Sequence, residues 1–206
     1  MEIKHLEWLQ LKTGNKILYG YNQDWYKTSF RKTRGCGPTA AAMLLLYLNK
    51  REGALLPYQN HSISSISKVL ESVWDFVTPG WLLGLHSTGK FCKGLDALLM
   101  HHELNWRCRK LSITAFRSKR ASLSQVVKFL EDGIASDCPI AFLNLHKGRV
   151  SVLDSWHWIA LVSLSYDESE NRYMATCYDS GRVVTFDVGY WLETTRFGGG
   201  FVYVTV

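Results

Sequence analysis

Apolar and polar positions divide this chain into two styles. Before Cys138-Pro139, apolar residues recur mostly at helical spacing; after it they come in short β-branched and aromatic runs separated by turns. The longest apolar run, Ala-Ala-Ala-Met-Leu-Leu-Leu-Tyr-Leu at 40–48, is strongly helix-forming and apolar on every face, which predicts a buried helix. A tight turn, Gly35-Cys36-Gly37, leads into it, and Pro38 fits only a first helical turn. Lys50, Arg51 and Gly53 supply a basic last turn and a stop.

Residues 3–21 alternate loosely around Lys12-Thr13-Gly14-Asn15, which predicts two short strands and a turn. Residues 22–35 read as a polar, aromatic loop, and 54–61 as a loop containing Pro57. Ser62 or Ser64 caps a second helix through about Phe76, with Ile66, Val69, Leu70 and Val73 on its apolar face, and Thr78-Pro79-Gly80 ends it. A glycine-containing loop over 81–90 precedes a third helix at 91–102, a short strand at 106–111 and a fourth helix capped by Ser122 or Ser124 and ending at Gly133. Strands are then predicted at 140–145, 158–165, 172–178, 183–186 and 201–206, with a short helix at 190–194 and a turn in the glycine run 198–200. Helices first and an antiparallel sheet last is an α+β arrangement: one domain over 1–206, a helical half to about 135 and a sheet half from about 136. A groove between the halves is the natural place for a site.

Composition changes the picture little. A chain of 206 residues is long enough for a sizeable core, and eight tryptophans and ten tyrosines point to aromatic-lined grooves as well. The start Met1-Glu2-Ile3-Lys4 lacks a secretory pattern and no apolar run has membrane-spanning length, so the expectation is a cytoplasmic protein without a membrane segment. Five scattered cysteines without C-x-x-C spacing predict reduced thiols and argue against a disulfide framework or a zinc site. The net charge of +6 comes largely from Lys27, Arg31, Lys32 and Arg34, and from Arg107, Arg109, Lys110, Arg117, Lys119 and Arg120. These stretches read as solvated faces or as an attraction for an acidic partner; no nucleic-acid module accompanies them, so nucleic acid is not expected.

The chemistry centres on Cys36. A helix start presents unpaired N–H groups and about half a positive charge, which suits an anion. Flanking glycines leave room for a carbonyl to approach the sulfur; the bland alternative is a small cysteine buried at a helix start. A nucleophilic cysteine needs a base, a group to orient that base and donors for an oxyanion. His157 opens the strand Trp156-His157-Trp158-Ile159-Ala160-Leu161-Val162, between two bulky tryptophans expected to narrow the groove, and is the best-placed base, while His101 and His102 close a helix and His5, His61, His86 and His146 sit in polar or loop contexts. Asp179, before the turn Ser180-Gly181, returns to the level of His157 if the two strands form a hairpin; Asp154 is the competitor. The Cys36 N–H and the Gln23 amide, or Asn22 in its place, are candidate oxyanion donors. Cys92, flanked by lysine near a helix start, is the alternative nucleophile.

Gly35-Cys36-Gly37-Pro38-Thr39-Ala40, with Met43 on the same helix, resembles the nucleophile segment of papain-like cysteine peptidases, and within them the bacterial branch related to double-glycine leader peptidases of bacteriocin exporters. The order of elements is similar over nearly the whole chain, although the cysteine motif alone is specific, and the loop from Gln23 to Cys36 is longer than that branch's pattern. The resemblance implies a papain-like α+β fold and hydrolysis of a peptide or isopeptide bond, with Cys36 as nucleophile, His157 as base, Asp179 as orienter and Gln23 as oxyanion donor. Its implied substrate is a peptide or protein. No cofactor is required, and no H-E-x-x-H or comparable metal-ligand spacing occurs. The other readings are a catalytically silent peptide-binding or regulatory domain, and an acyltransferase or amidase using the same triad.

Overall fold

The computed structural model describes residues 1–53, 55–58, 62–81 and 84–206. Parts of the loops expected at 54–61 and 81–90, His61 among them, lie outside the described residues. The chain opens with a 3-10 turn and a hairpin of β1 (Gln10–Thr13) and β2 (Lys16–Tyr19). A second 3-10 turn (Gln23–Trp25) and helix α1 (Ser29–Arg34) then lead into α2 (Cys36–Arg51). The expectation of a plain loop over 22–35 is therefore corrected. Thr28 caps α1 by accepting from the Arg31 N–H, but a six-residue helix has too little apolar periodicity to be read from sequence.

Every α2 residue from Gly37 to Asn49 is buried, as its all-round apolar surface demands. Around it lie α3 (Ile63–Trp74) and α4 (Thr88–His101). Ser62 caps α3 in a reciprocal pair with Ser65, which selects it over Ser64. Ser87 caps α4, so that helix begins three residues before the expected Phe91.

Strand β3 (Arg107–Ile113) follows, then α5 (Leu123–Ala135), capped by Ser122 paired with Gln125. The remainder is β4 (Ile140–Asn144), β5 (His157–Asp167), β6 (Arg172–Asp179), β7 (Arg182–Asp187), α6 (Val188–Thr194) and β8 (Gly199–Thr205). Together with β3 they form a six-stranded antiparallel sheet in the order β3-β8-β4-β5-β6-β7. The sheet thus takes one edge strand from the helical part of the sequence, and Gly199 and Gly200, read as a turn, are ladder residues of β8.

One face of the sheet receives α2, which packs on β5; α5 and α6 pack against the sheet as well. Phe142, Phe186, Phe201 and Trp191 form an aromatic cluster with ring centroids about 5 Å apart. The N-terminal residues run beside β5, where Ile3 N–H donates to the carbonyl of Val162, the residue at a register shift in the β5–β6 ladder. Among the described residues no helix is long and apolar enough to cross a membrane.

The expectation of five reduced thiols is corrected. Cys92 on α4 and Cys108 on β3 are joined by a disulfide with Cα atoms 5.6 Å apart. Their separation of 16 residues matches no motif; the pair meets because β3 lies against α4, a tertiary fact that spacing does not carry.

Candidate active site

Cys36 stands at the joint between two helices. α1 and α2 are separated by Gly35 alone, which keeps a right-handed helical conformation (φ −79°, ψ −3°). The glycines serve packing and not an open approach to sulfur. A Cβ at Gly35 would meet the Tyr26 ring and lie 2.6 Å from the Arg31 carbonyl, and one at Gly37 would lie 2.7 Å from Leu85 Cδ2. Of the free cysteines, Cys138 and Cys177 are buried, and burial pushes the Cys138 thiol up to about 12 and Cys177 upward too. Cys36 is partly exposed. Cys92, bonded to Cys108, offers no free thiol.

His157 is the first residue of β5 and sits opposite Asn144 of β4. Extending the β5–β6 register by one step from Ala160–Tyr178 puts Asp179 opposite Ile159, so Asp179 and His157 are diagonal neighbours on one face. His157 Nε2 lies 2.8 Å from Asp179 Oδ1, and both groups are largely buried. Cys36 lines the same cavity as this ring. Burial by itself would depress the imidazole, but the hydrogen bond to Asp179 and the proximity of Cys36 outweigh it and hold His157 at about 10. Burial likewise works to raise the Asp179 carboxyl, yet His157, Ser180 and Arg182 leave it below its ordinary value. Asp154, by contrast, is exposed, and its carbonyl accepts from Asn144 Nδ2 at 2.8 Å. Asn144 is itself fixed by the Trp191 indole N–H at 2.9 Å, so the aromatic cluster anchors the loop that delivers His157.

Gln23 lines the same narrow cavity as Cys36, His157 and Asp179. The 3-10 turn and α1 take up the length between Gln23 and Cys36 and return the chain to the sulfur. Gln23 Oε1 is buried without a hydrogen-bond partner among the described residues. Asn22 instead caps the 3-10 turn, its Oδ1 accepting from the Asp24 N–H. No group of three or more His, Cys, Asp or Glu side chains among the described residues is arranged to hold a metal ion.

On its open side Cys36 faces a groove of about 480 Å³ lined by Thr33, Arg34, Leu85, His86, Leu143 and Trp156, among others. Only part of this wall is legible in the sequence: Trp156, a bulky neighbour of His157, is expected to narrow the groove, whereas His86 reads as a loop histidine. In the fold Trp156 adopts a left-handed backbone (φ 59°) that bulky residues rarely take, and its half-exposed indole stands at the groove edge beside Phe197. The indole N–H of Trp158 donates to the Leu85 carbonyl at 2.5 Å, which ties the helical wall to β5.

A helical layer that begins with this cysteine, packed on an antiparallel sheet that carries the histidine, is the papain-like α+β cysteine-peptidase type of fold. A solved structure, the crystal structure of UfSP from C.elegans, is similar over 93% of this chain with a TM-score of 0.53 and 11% sequence identity. This chain spans 33% of that one, so the likeness is one of fold across a third of the larger protein. No protein-family model matches the sequence, and no curated protein matches it.

Proposed function

We propose that this chain is a cysteine hydrolase of peptide or isopeptide bonds that works through Cys36, His157 and Asp179. The observation that carries the reading is the cavity lined together by Cys36, His157 and Asp179, in which Asp179 holds one imidazole nitrogen at 2.8 Å beside the partly exposed Cys36. Asp179 keeps the ring oriented and favours its charged form.

In the proposed reaction the Cys36 thiolate attacks the amide carbonyl carbon, forming a C–S bond and an oxyanion. The Cys36 N–H and the Gln23 amide are assigned as donors to that oxygen. Collapse breaks the C–N bond while the His157 imidazolium gives its proton to the leaving amine. Water, deprotonated by His157, then attacks the thioester carbonyl; the C–S bond breaks, the acid departs and the thiolate–imidazolium pair returns. The order of Gln23, Cys36, His157 and Asp179 along the chain agrees with that of the leader-peptidase branch and supports these roles.

A peptidyl electrophile selective for thiols tests the reading. One equivalent of label on Cys36, lost in Cys36→Ala together with all peptide turnover, is the expected result. Turnover equal in the two proteins would leave a binding domain, and conjugation of an added primary amine in place of hydrolysis would make it an acyltransferase.

A further inference from the structure

The groove beside Cys36 has an apolar floor and one conspicuous charge. Leu85, Leu143 and Leu145 supply the floor, Trp156 one wall and Arg34 the other. Among the described residues no carboxylate lines it. Arg34 is held rather than free to swing: its guanidinium lies 4.7 Å from the Phe30 ring, Nε donates to the Trp81 carbonyl at 3.0 Å, and Nη1 donates to Thr33 Oγ1 at 3.0 Å. Among the described residues it forms no ion pair, whereas Arg31, one turn earlier, is paired with both Glu71 and Asp75. Another polar group in the wall, His86 Nδ1, is buried without a hydrogen-bond partner among the described residues. An oriented guanidinium with no anion, over a floor of leucines, is the complement of an acidic side chain next to a large apolar one.

We propose that Arg34 is a specificity-determining residue, and that the groove takes a peptide segment in which a bulky apolar residue adjoins an aspartate or glutamate. The occupant is a peptide because the groove opens onto Cys36, so the proposal rests on the hydrolase reading above. The apolar side chain displaces water from Leu85, Leu143, Leu145 and the Trp156 indole. The carboxylate accepts from the guanidinium hydrogens that Trp81 and Thr33 leave free.

Two fluorescein-labelled peptides, identical except for Phe-Glu against Phe-Gln, test this by anisotropy with Cys36→Ala protein, so that no turnover intrudes. The Phe-Glu peptide is expected to bind about tenfold more tightly at low ionic strength, a margin that shrinks with added salt. Arg34→Gln removes the preference and Arg34→Lys restores part of it, a pattern that general unfolding would not produce. Equal binding of the two peptides by the Arg34 protein, or a preference that survives Arg34→Gln, overturns the assignment. The same peptides are then offered to protein with Cys36 intact. Charge-selective binding without cleavage sinks the hydrolase reading and leaves the groove's preference standing; cleavage without charge preference does the reverse.

Discussion

His157 carries opposing influences that mutation can separate. Burial favours the neutral ring, while Asp179 and Cys36 favour the imidazolium and prevail, holding it at about 10 against an ordinary 6.5. A group raised in the folded state stabilises fully below 6.5 and loses that contribution as pH climbs toward about 10. Asp179 is shifted the other way, so its contribution is present above 3.8 and disappears as pH falls through its lower folded value. Both are at full strength between 3.8 and 6.5. Asp179→Asn should therefore lower the His157 titration midpoint by about 1–3 pH units, read from the ring carbon-bound proton by NMR. An unmoved midpoint would show that Asp179 does not control the ring. Sequence pattern disclosed the pair because each residue closes or opens an apolar strand, where a polar side chain stands out. It disclosed Trp156 as a bulky residue narrowing the groove but not its left-handed backbone, and it passed over His86, which a loop brings to β4 across the groove.

Among the elements, α2 was the most legible, since nine successive apolar residues allow little besides a buried helix. Its glycines were legible as glycines but not in purpose. They admit Tyr26 and Leu85 against the backbone, a consequence of loops packing from elsewhere in the sequence. Gly35→Ala should accordingly cost about 1–3 kcal/mol of stability, seen as a lower urea midpoint at unchanged slope. The helix needs no glycine φ there, so an unchanged midpoint would mean that Tyr26 has moved aside without penalty. Helix α1 escaped notice because its short span buries no residue, so its pattern cannot be told from a loop.

Across the whole molecule, the Cys92–Cys108 link fastens the sheet's first edge strand to the helical layer. Non-reducing denaturation should expose three free thiols, Cys36, Cys138 and Cys177, and five would refute the bond. Reducing it, or replacing both partners with serine, should lower stability by about 3 kcal/mol through the freed loop of 16 residues. Helical and sheet regions could be told apart from sequence by period; the order β3-β8-β4 could not, because pairing between distant strands leaves no local trace. That same edge carries the first three residues of one basic stretch. No further strand pairs beyond β3 among the described residues; α4 covers part of that side, where Asp96 Oδ1 accepts from the Cys108 N–H at 3.2 Å, and Arg107, Arg109 and Lys110 stand along β3 exposed. Like charges along that margin repel a second copy that would otherwise extend the ladder. Concentrated salt, by muffling that repulsion, removes the guard against self-association, and dilute buffers are the ones in which the protein should stay dispersed.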